Sequence, residues 1–282
     1  MKRTKIAVTG ALGRMGTQII KKINETEDLE VVLAIEIEGC SKKGMDIGEV
    51  IGIDKMGINL TTSDELEDSL IKDNPDVLID FTTSNAAIKN IRIASKIGVN
   101  LVIGTTGFSN KQRDEIESYI TNNKVAAVIS PNMSKGVNVF FRMAMIIAEY
   151  LKGYDIEIIE KHHRFKKDSP SGTALKVGDL IAEAIGEDLS DKAVYGREKG
   201  LVHNRKAGEI GFHSIRGGGI IGDHTVIFAD ADERIEITHI ANNRGTFVNG
   251  AIAAARFIKT QKKGRIYNTW DVLGISNLSK CE

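Results

Sequence analysis

Short apolar runs alternate with segments whose apolar positions recur every three to four residues through the first half of the chain. Lys5-Ile6-Ala7-Val8-Thr9 reads as a buried strand, and Arg14 to Asn24 then places Met15, Ile19, Ile20 and Ile23 on one helical face. The rhythm continues with a strand at Glu30–Glu36 and, after the Asn74-Pro75 turn, another at Val77–Phe81. A helix at Ala86–Lys96, a strand at Leu101–Ile103, a helix at Lys111–Asn122 and a strand at Ala126–Ile129 follow. Alternating strands and helices predict an α/β fold, a Rossmann-like doubly wound parallel sheet.

The pattern changes after Pro131-Asn132. Val137 to Leu151 forms one long apolar helix whose Phe140, Phe141, Met143 and Met145 read as core. A strand at Ile156–Glu160 runs into a polar stretch, and Ser171 starts a helix reaching about Ala184. Three β-rich runs, 211–216, 225–229 and 234–240, suggest a smaller α+β domain with a largely antiparallel sheet. Gly217-Gly218-Gly219 between the first two reads as a hairpin-type connection. Thr246 to Lys259 is helical again and can return to the first sheet. The expected domains are therefore 1–131, completed by 241–282, and 132–240.

Composition narrows the function classes. The chain has 282 residues, enough for two cores, and its 38 basic residues balance its 38 acidic ones. A zero net charge provides no global field to recruit nucleic acid or a membrane surface, so anion binding must come from a local patch. No apolar segment approaches the ~20 residues that span a bilayer, and the N-terminal apolar run is too short for a signal sequence. Cys40 and Cys281 lie far apart in no metal or redox spacing, so a reducing, cytoplasmic setting is expected.

Gly10-Ala11-Leu12-Gly13-Arg14-Met15-Gly16 sits between the first strand and the first helix. Backbone N–H groups and the positive end of the helix dipole converge there, which suits a pyrophosphate, although Leu12 occupies the middle position of a strict G-x-G-x-x-G. Glu36 ends the next strand twenty residues past Gly16, where a carboxylate can accept from ribose hydroxyls. Ile37 follows it in place of a phosphate-neutralising arginine, which favours NADH; Lys42 and Lys43 remain able to reach a 2′-phosphate. Polar loops at Phe81–Ser84, Gly104–Gly107 and Ser130–Met133 collect on the same sheet edge, making a nicotinamide dinucleotide the expected cofactor.

The densest chemistry lies in Glu160-Lys161-His162-His163-Arg164-Phe165-Lys166-Lys167-Asp168-Ser169-Pro170-Ser171-Gly172-Thr173. Hydroxyls and free N–H groups at a helix start, beside Arg164, Lys166 and His163, suit the carboxylates of a small acidic substrate. A histidine following the strand can protonate a centre that has received a hydride. No metal site is expected: adjacent histidines cannot share one ion as an i, i+4 pair can, and no third ligand is evident. His203, His213, His224 and His239 stand alone and read as structural.

These motifs, with Gly104-Thr105-Thr106-Gly107-Phe108, Glu236-Ile237-Thr238-His239 and Asn249-Gly250-Ala251, resemble the dihydrodipicolinate reductase family over the whole chain. The resemblance implies that NADH or NADPH reduces 4-hydroxy-tetrahydrodipicolinate, a cyclic dicarboxylate, to tetrahydrodipicolinate in the diaminopimelate route to lysine. It implies His162 as proton donor and Lys166 as its catalytic partner. Substrate contacts would come from Thr106, His163, Lys166, Ser171, Gly172 and Thr173. Gly10, Ala11, Leu12, Gly13, Arg14, Met15, Glu36, Gly104, Thr105, Thr106, Ser130, Pro131, Asn132 and Met133 match cofactor positions. It further implies a homotetramer assembled through the second domain's sheet. Phe165 stands where members often carry another histidine, and Ile37 where NADPH-tolerant members often carry arginine. Among other readings, a semialdehyde dehydrogenase would need a better placed cysteine than Cys40 or Cys281. Another oxidoreductase of a small carboxylic acid, or of sugar type, would leave the dihistidine run unexplained. A dinucleotide-sensing regulator would need a DNA-binding module, for which the first strand leaves no room.

Overall fold

The computed structural model describes residues 2–200 and 203–275, so Cys281 lies outside the described residues. Backbone contacts divide the chain into two compact units, one running to Lys135 and resumed from Phe247, the other Gly136–Thr246. In chain order the first half comprises β1 (Thr4–Thr9), α1 (Arg14–Asn24), β2 (Leu29–Glu36), α2 (Ile47–Ile51), β3 (Thr61–Thr62), α3 (Leu66–Asp73), β4 (Val77–Asp80), α4 (Ser84–Ile97), β5 (Asn100–Ile103), α5 (Asn110–Asn122) and β6 (Ala126–Ile129). Next come α6 (Lys135–Tyr150), β7 (Asp155–His162), α7 (Gly172–Ile185), α8 (Leu189–Lys192), β8 (Ala193–Tyr195), β9 (Ile210–Arg216), β10 (Asp223–Ala229) and β11 (Arg234–Ile240). The last elements are α9 (Gly245–Ile258), β12 (Arg265–Tyr267) and α10 (Thr269–Leu273).

The first sheet has the order β12-β6-β5-β4-β1-β2-β3 and is parallel at every pairing. Alternation along its strands builds two cores, because successive side chains leave opposite faces. Ile6, Val8, Val77, Ile79 and Val128 pack with Ile19, Ile20 and Ile23 of α1 and with Val248, Ile252 and Ala255 of α9. Ala7, Leu33, Leu78, Leu101 and Ala127 pack on the other face against Leu70 of α3, Ile91 of α4 and Ile120 of α5. The doubly wound fold predicted from periodicity is what forms. The strand order reverses between β1 and β4, and in such sheets ligands bind outside the strand ends at that reversal.

The loop after β6 stays with this unit: Met133 is buried in its core. A Cβ at Gly250 of α9 would lie 1.8 Å from the Met133 carbonyl oxygen, so only glycine lets the returning helix pass this loop.

The second sheet, β11-β10-β7-β9-β8, corrects two expectations. It is mixed rather than largely antiparallel: β10 pairs antiparallel with β7 and β11, whereas β9 pairs parallel with β7 and β8. Gly217-Gly218-Gly219 is also no hairpin, because β7 lies between β9 and β10. The glycine segment instead crosses the end of β7, where the Gly217 N–H donates to the His162 carbonyl at 2.9 Å and the Arg164 N–H donates to the Gly218 carbonyl at 3.3 Å. Gly218 has φ +50°, a conformation that favours glycine.

Candidate active site

At the sheet reversal, β1 ends in Thr9 and the chain turns through Gly10 at φ +64°. A Cβ at Gly16 would stand 2.1 Å from the Gly10 carbonyl oxygen, so glycine there lets α1 seat tightly on the turn. No side chain caps the start of α1, which leaves its first N–H groups directed at the turn. The Glu36 carboxylate accepts from the Leu12 N–H at 2.7 Å and from its own neighbour Ile37 at 3.0 Å. Two backbone donors thus hold the acid beside the glycine turn.

The organiser of this edge is a residue that sequence reasoning did not single out. Asp80, fully buried at the end of β4, accepts from the hydroxyls of Thr9, Thr82 and Thr105 at 2.8, 2.8 and 2.7 Å. It also accepts from the Asn90 side chain at 2.8 Å and the Thr82 N–H at 2.9 Å. One carboxylate therefore pins the ends of three strands. The only signal in the sequence was an acid closing an otherwise apolar strand. Gly104 is needed for a related reason, since its Cβ would fall 2.0 Å from the Phe81 ring. Thr105, Thr106, Phe108, Ile129 and Pro131 line a cavity of about 310 Å³ at this edge. Thr106 is exposed there, while Thr105 is spent on Asp80.

In the second unit, β7 buries Ile156, Ile158, Glu160 and His162 on one face. His162 is therefore the last residue of a strand rather than part of the loop after it, and the strand's pleat aims it inward with Glu160. His162 Nδ1 lies 2.6 Å from Glu160 Oε2. Arg216 of β9 meets the same carboxylate in a fork, Nη1 to Oε2 at 2.7 Å and Nη2 to Oε1 at 2.6 Å. Burial alone would raise the Glu160 pKa, but hydrogen bonds from Arg216, His162 and Ser214 outweigh it and hold the carboxyl at about 2. For His162 burial wins over the support from Glu160, and its pKa falls below the ordinary histidine value, with Lys166 and Arg216 adding to the fall.

His224 corrects a further expectation, for it does not stand alone. Its ring centroid is 5.2 Å from that of His162, edge to face, and its Nε2 lies 3.0 Å from Ser171 Oγ. Burial, reinforced by the charge of His162, pushes its pKa down to about 3. Ser171 is 2 % exposed and caps α7 by accepting the Ala174 N–H at 3.2 Å. Its hydroxyl is thus engaged inside the protein, whereas Gly172 is exposed and Thr173 half-buried. Lys166 Nζ pairs with Asp168 at 2.8 Å, and His163 is half-buried beside Phe165, which points to solvent at 79 % exposure. The structure therefore gathers His162, Ser171 and His224 tightly around Glu160.

Two family models match this chain: dihydrodipicolinate reductase, N-terminus, over residues 4–133, and dihydrodipicolinate reductase, C-terminus, over residues 136–273. The chain belongs to the dihydrodipicolinate reductase family. A 4-hydroxy-tetrahydrodipicolinate reductase of Methanocaldococcus jannaschii is 55 % identical over 274 residues, covering 97 % of this chain and 98 % of the relative. The enzyme of the same name from Methanothermobacter thermautotrophicus is 49 % identical over 272 residues, covering 96 % and 99 %. The dipicolinate-bound dihydrodipicolinate reductase from Paenisporosarcina sp. TG-14 shares the fold with a TM-score of 0.77 and 25 % identity, covering 96 % of this chain and 99 % of that one. Membership makes the chain an oxidoreductase with a nicotinamide cofactor, and the uncapped α1 start and the Glu36 seat fit that group. Among the described residues no helix is long and apolar enough to cross a membrane.

Proposed function

We propose that this protein reduces 4-hydroxy-tetrahydrodipicolinate to tetrahydrodipicolinate in the diaminopimelate route to lysine, with NADH preferred over NADPH. Full-length similarity to reductases of that name carries the reading. When bound, the nicotinamide supplies the hydride. Gly10, Ala11, Leu12, Gly13, Arg14 and Met15 cradle the pyrophosphate and Glu36 accepts from the adenosine ribose. The loops at Gly104–Thr106 and Ser130–Met133 complete the cofactor site. The preference for NADH follows from Glu36, a fixed anion where a 2′-phosphate would sit, and from Lys43, which is bound to Glu65 at 2.8 Å.

His162 donates the proton at the reduced centre, and Lys166 works beside it on the dianionic substrate. His163 and the first N–H groups of α7, at Gly172 and Thr173, receive a carboxylate; Ser171 shapes that receptor from beneath as the cap of α7. Burial lowers the His162 pKa, so its protonated form is a stronger acid than an ordinary histidine and passes its proton on more readily.

The protein works in the cytoplasm as a homotetramer. Its second sheet supports this assembly, since Ile215 and Ile240 stand on one face at 46 % and 58 % exposure. Light scattering of the purified protein is expected to return four times the chain mass. The activity test is direct: NADH oxidation is expected only when aspartate semialdehyde, pyruvate and their condensing enzyme are supplied together. Oxidation without the condensing enzyme, or none with it, would overturn the reading.

A further inference from the structure

We propose that Glu160 and Arg216 form a positioning pair for the reaction, fixing the tautomer of His162 and tying the segment that carries Lys166 and the start of α7 to the same carboxylate. This rests on the reductase reading above and adds residues to it. Sequence reasoning assigned neither a role.

Both oxygens of the Glu160 carboxylate are engaged, with Ser214 adding a further side-chain hydrogen bond. Oε2 accepts from Arg216 Nη1 and faces His162 Nδ1, while Oε1 accepts from Arg216 Nη2 and from the Ser171 N–H at 3.1 Å. An ionised carboxylate only accepts, so the shared proton resides on Nδ1 and Nε2 becomes the atom that exchanges a proton. Gly222 keeps that atom open, since a Cβ there would lie 3.1 Å from Nε2. Arg216 does a second job: Nη2 also donates to the Asp168 carbonyl at 2.7 Å, and the Asp168 side chain holds Lys166. One guanidinium thus sets both His162 and the segment bearing Lys166.

Burying an ion pair is costly, and a pair of well-packed apolar side chains would often serve stability as well. The geometry explains why charge is present here. The groups facing His162 are Glu160 of its own strand, Lys166 of the following segment, Arg216 of β9 and His224 of β10. Glu160 is the one anion among them. Neutralising it leaves two cations against the ring, so the protonated, donating form of His162 is lost at lower pH.

Two measurements test the pair. In Glu160→Gln, kcat is expected to fall about 10²-fold, as when a catalytic histidine loses the carboxylate that orients it. The high-pH limb of kcat/KM should move to lower pH while NADH affinity, read by fluorescence, stays within about threefold. Arg216→Lys keeps the charge but loses the fork, so kcat should fall less than in Glu160→Gln and the pH limb should move less. A lower melting temperature in Glu160→Gln with kcat and the limb unmoved would overturn the proposal. Nitrogen NMR of wild-type histidines provides a check that needs no variant and no substrate: neutral His162 should carry its proton on Nδ1, and a dominant Nε2–H form would overturn the proposal. Failure of wild-type turnover, by contrast, counts against the reductase reading alone.

Discussion

Asp80 and Glu160 are both carboxylates sealed near the carboxyl end of a strand, and each gathers the segments around it, but with opposite kinds of donor. Asp80 takes three hydroxyls, one side-chain amide and one backbone N–H, all neutral. Glu160 takes a guanidinium fork and an imidazole, joined by the Ser214 side chain and one N–H. The donors to Asp80 carry no charge of their own, which suits an edge that has only to present backbone and loops to a cofactor. Charged donors bind geometry and protonation together, which suits a site that must move a proton.

Substitutions should separate the two. The largest effect is expected from His162→Gln, which should lower kcat by about 10²–10⁴-fold with modest change in cofactor binding; steady-state kinetics with NADH titrations checks this. On the neutral side, Asp80→Asn leaves buried hydroxyls and an amide competing for one oxygen. Denaturant unfolding should show a loss of about 2–4 kcal/mol, with weaker NADH binding and an unshifted pH profile. A shifted profile would erase the contrast. Glu36→Ala removes a charged acceptor and should raise the KM for NADH about 10–100-fold, with a smaller change for NADPH.

The comparison also predicts acid sensitivity. His224 is neutral in the fold down to about 3 and protonates in the unfolded chain near its ordinary value of 6.5. The unfolded state then binds the extra proton, so stability falls as pH drops from 6.5 towards 3. Glu160 adds a loss of the same sign between 4.5 and about 2. His224→Gln should flatten the upper part of this slope in pH-dependent melting, whereas Asp80→Asn should leave it in place.

Much of the architecture was legible because it depends on local periodicity. The strands around Ile6, Leu78 and Val102 are apolar runs, and α1 repeats its isoleucines at helical spacing, so the doubly wound sheet follows from the chain alone. The glycine turn, Glu36 and the run from Glu160 to Thr173 were likewise visible as motifs. Short elements such as β3 and β12 were missed, since two- and three-residue strands are made by their neighbours rather than by their own residues. The mixed pairing of the second sheet was missed for the same kind of reason: β9 and β10 are close in sequence, yet β7 lies between them.

The sequence alone determined the two fold types, the dinucleotide motif, the family and the identity of His162 as the residue to test. Only the tertiary structure decided which groups stand around that histidine. Arg216 and His224 are separated from it by more than fifty positions, and the pairing of β9 and β10 with β7 brings them to Glu160, His162 and Ser171. No local pattern encodes that meeting, because it is the register between strands, not the order along one, that sets which side chains share a face.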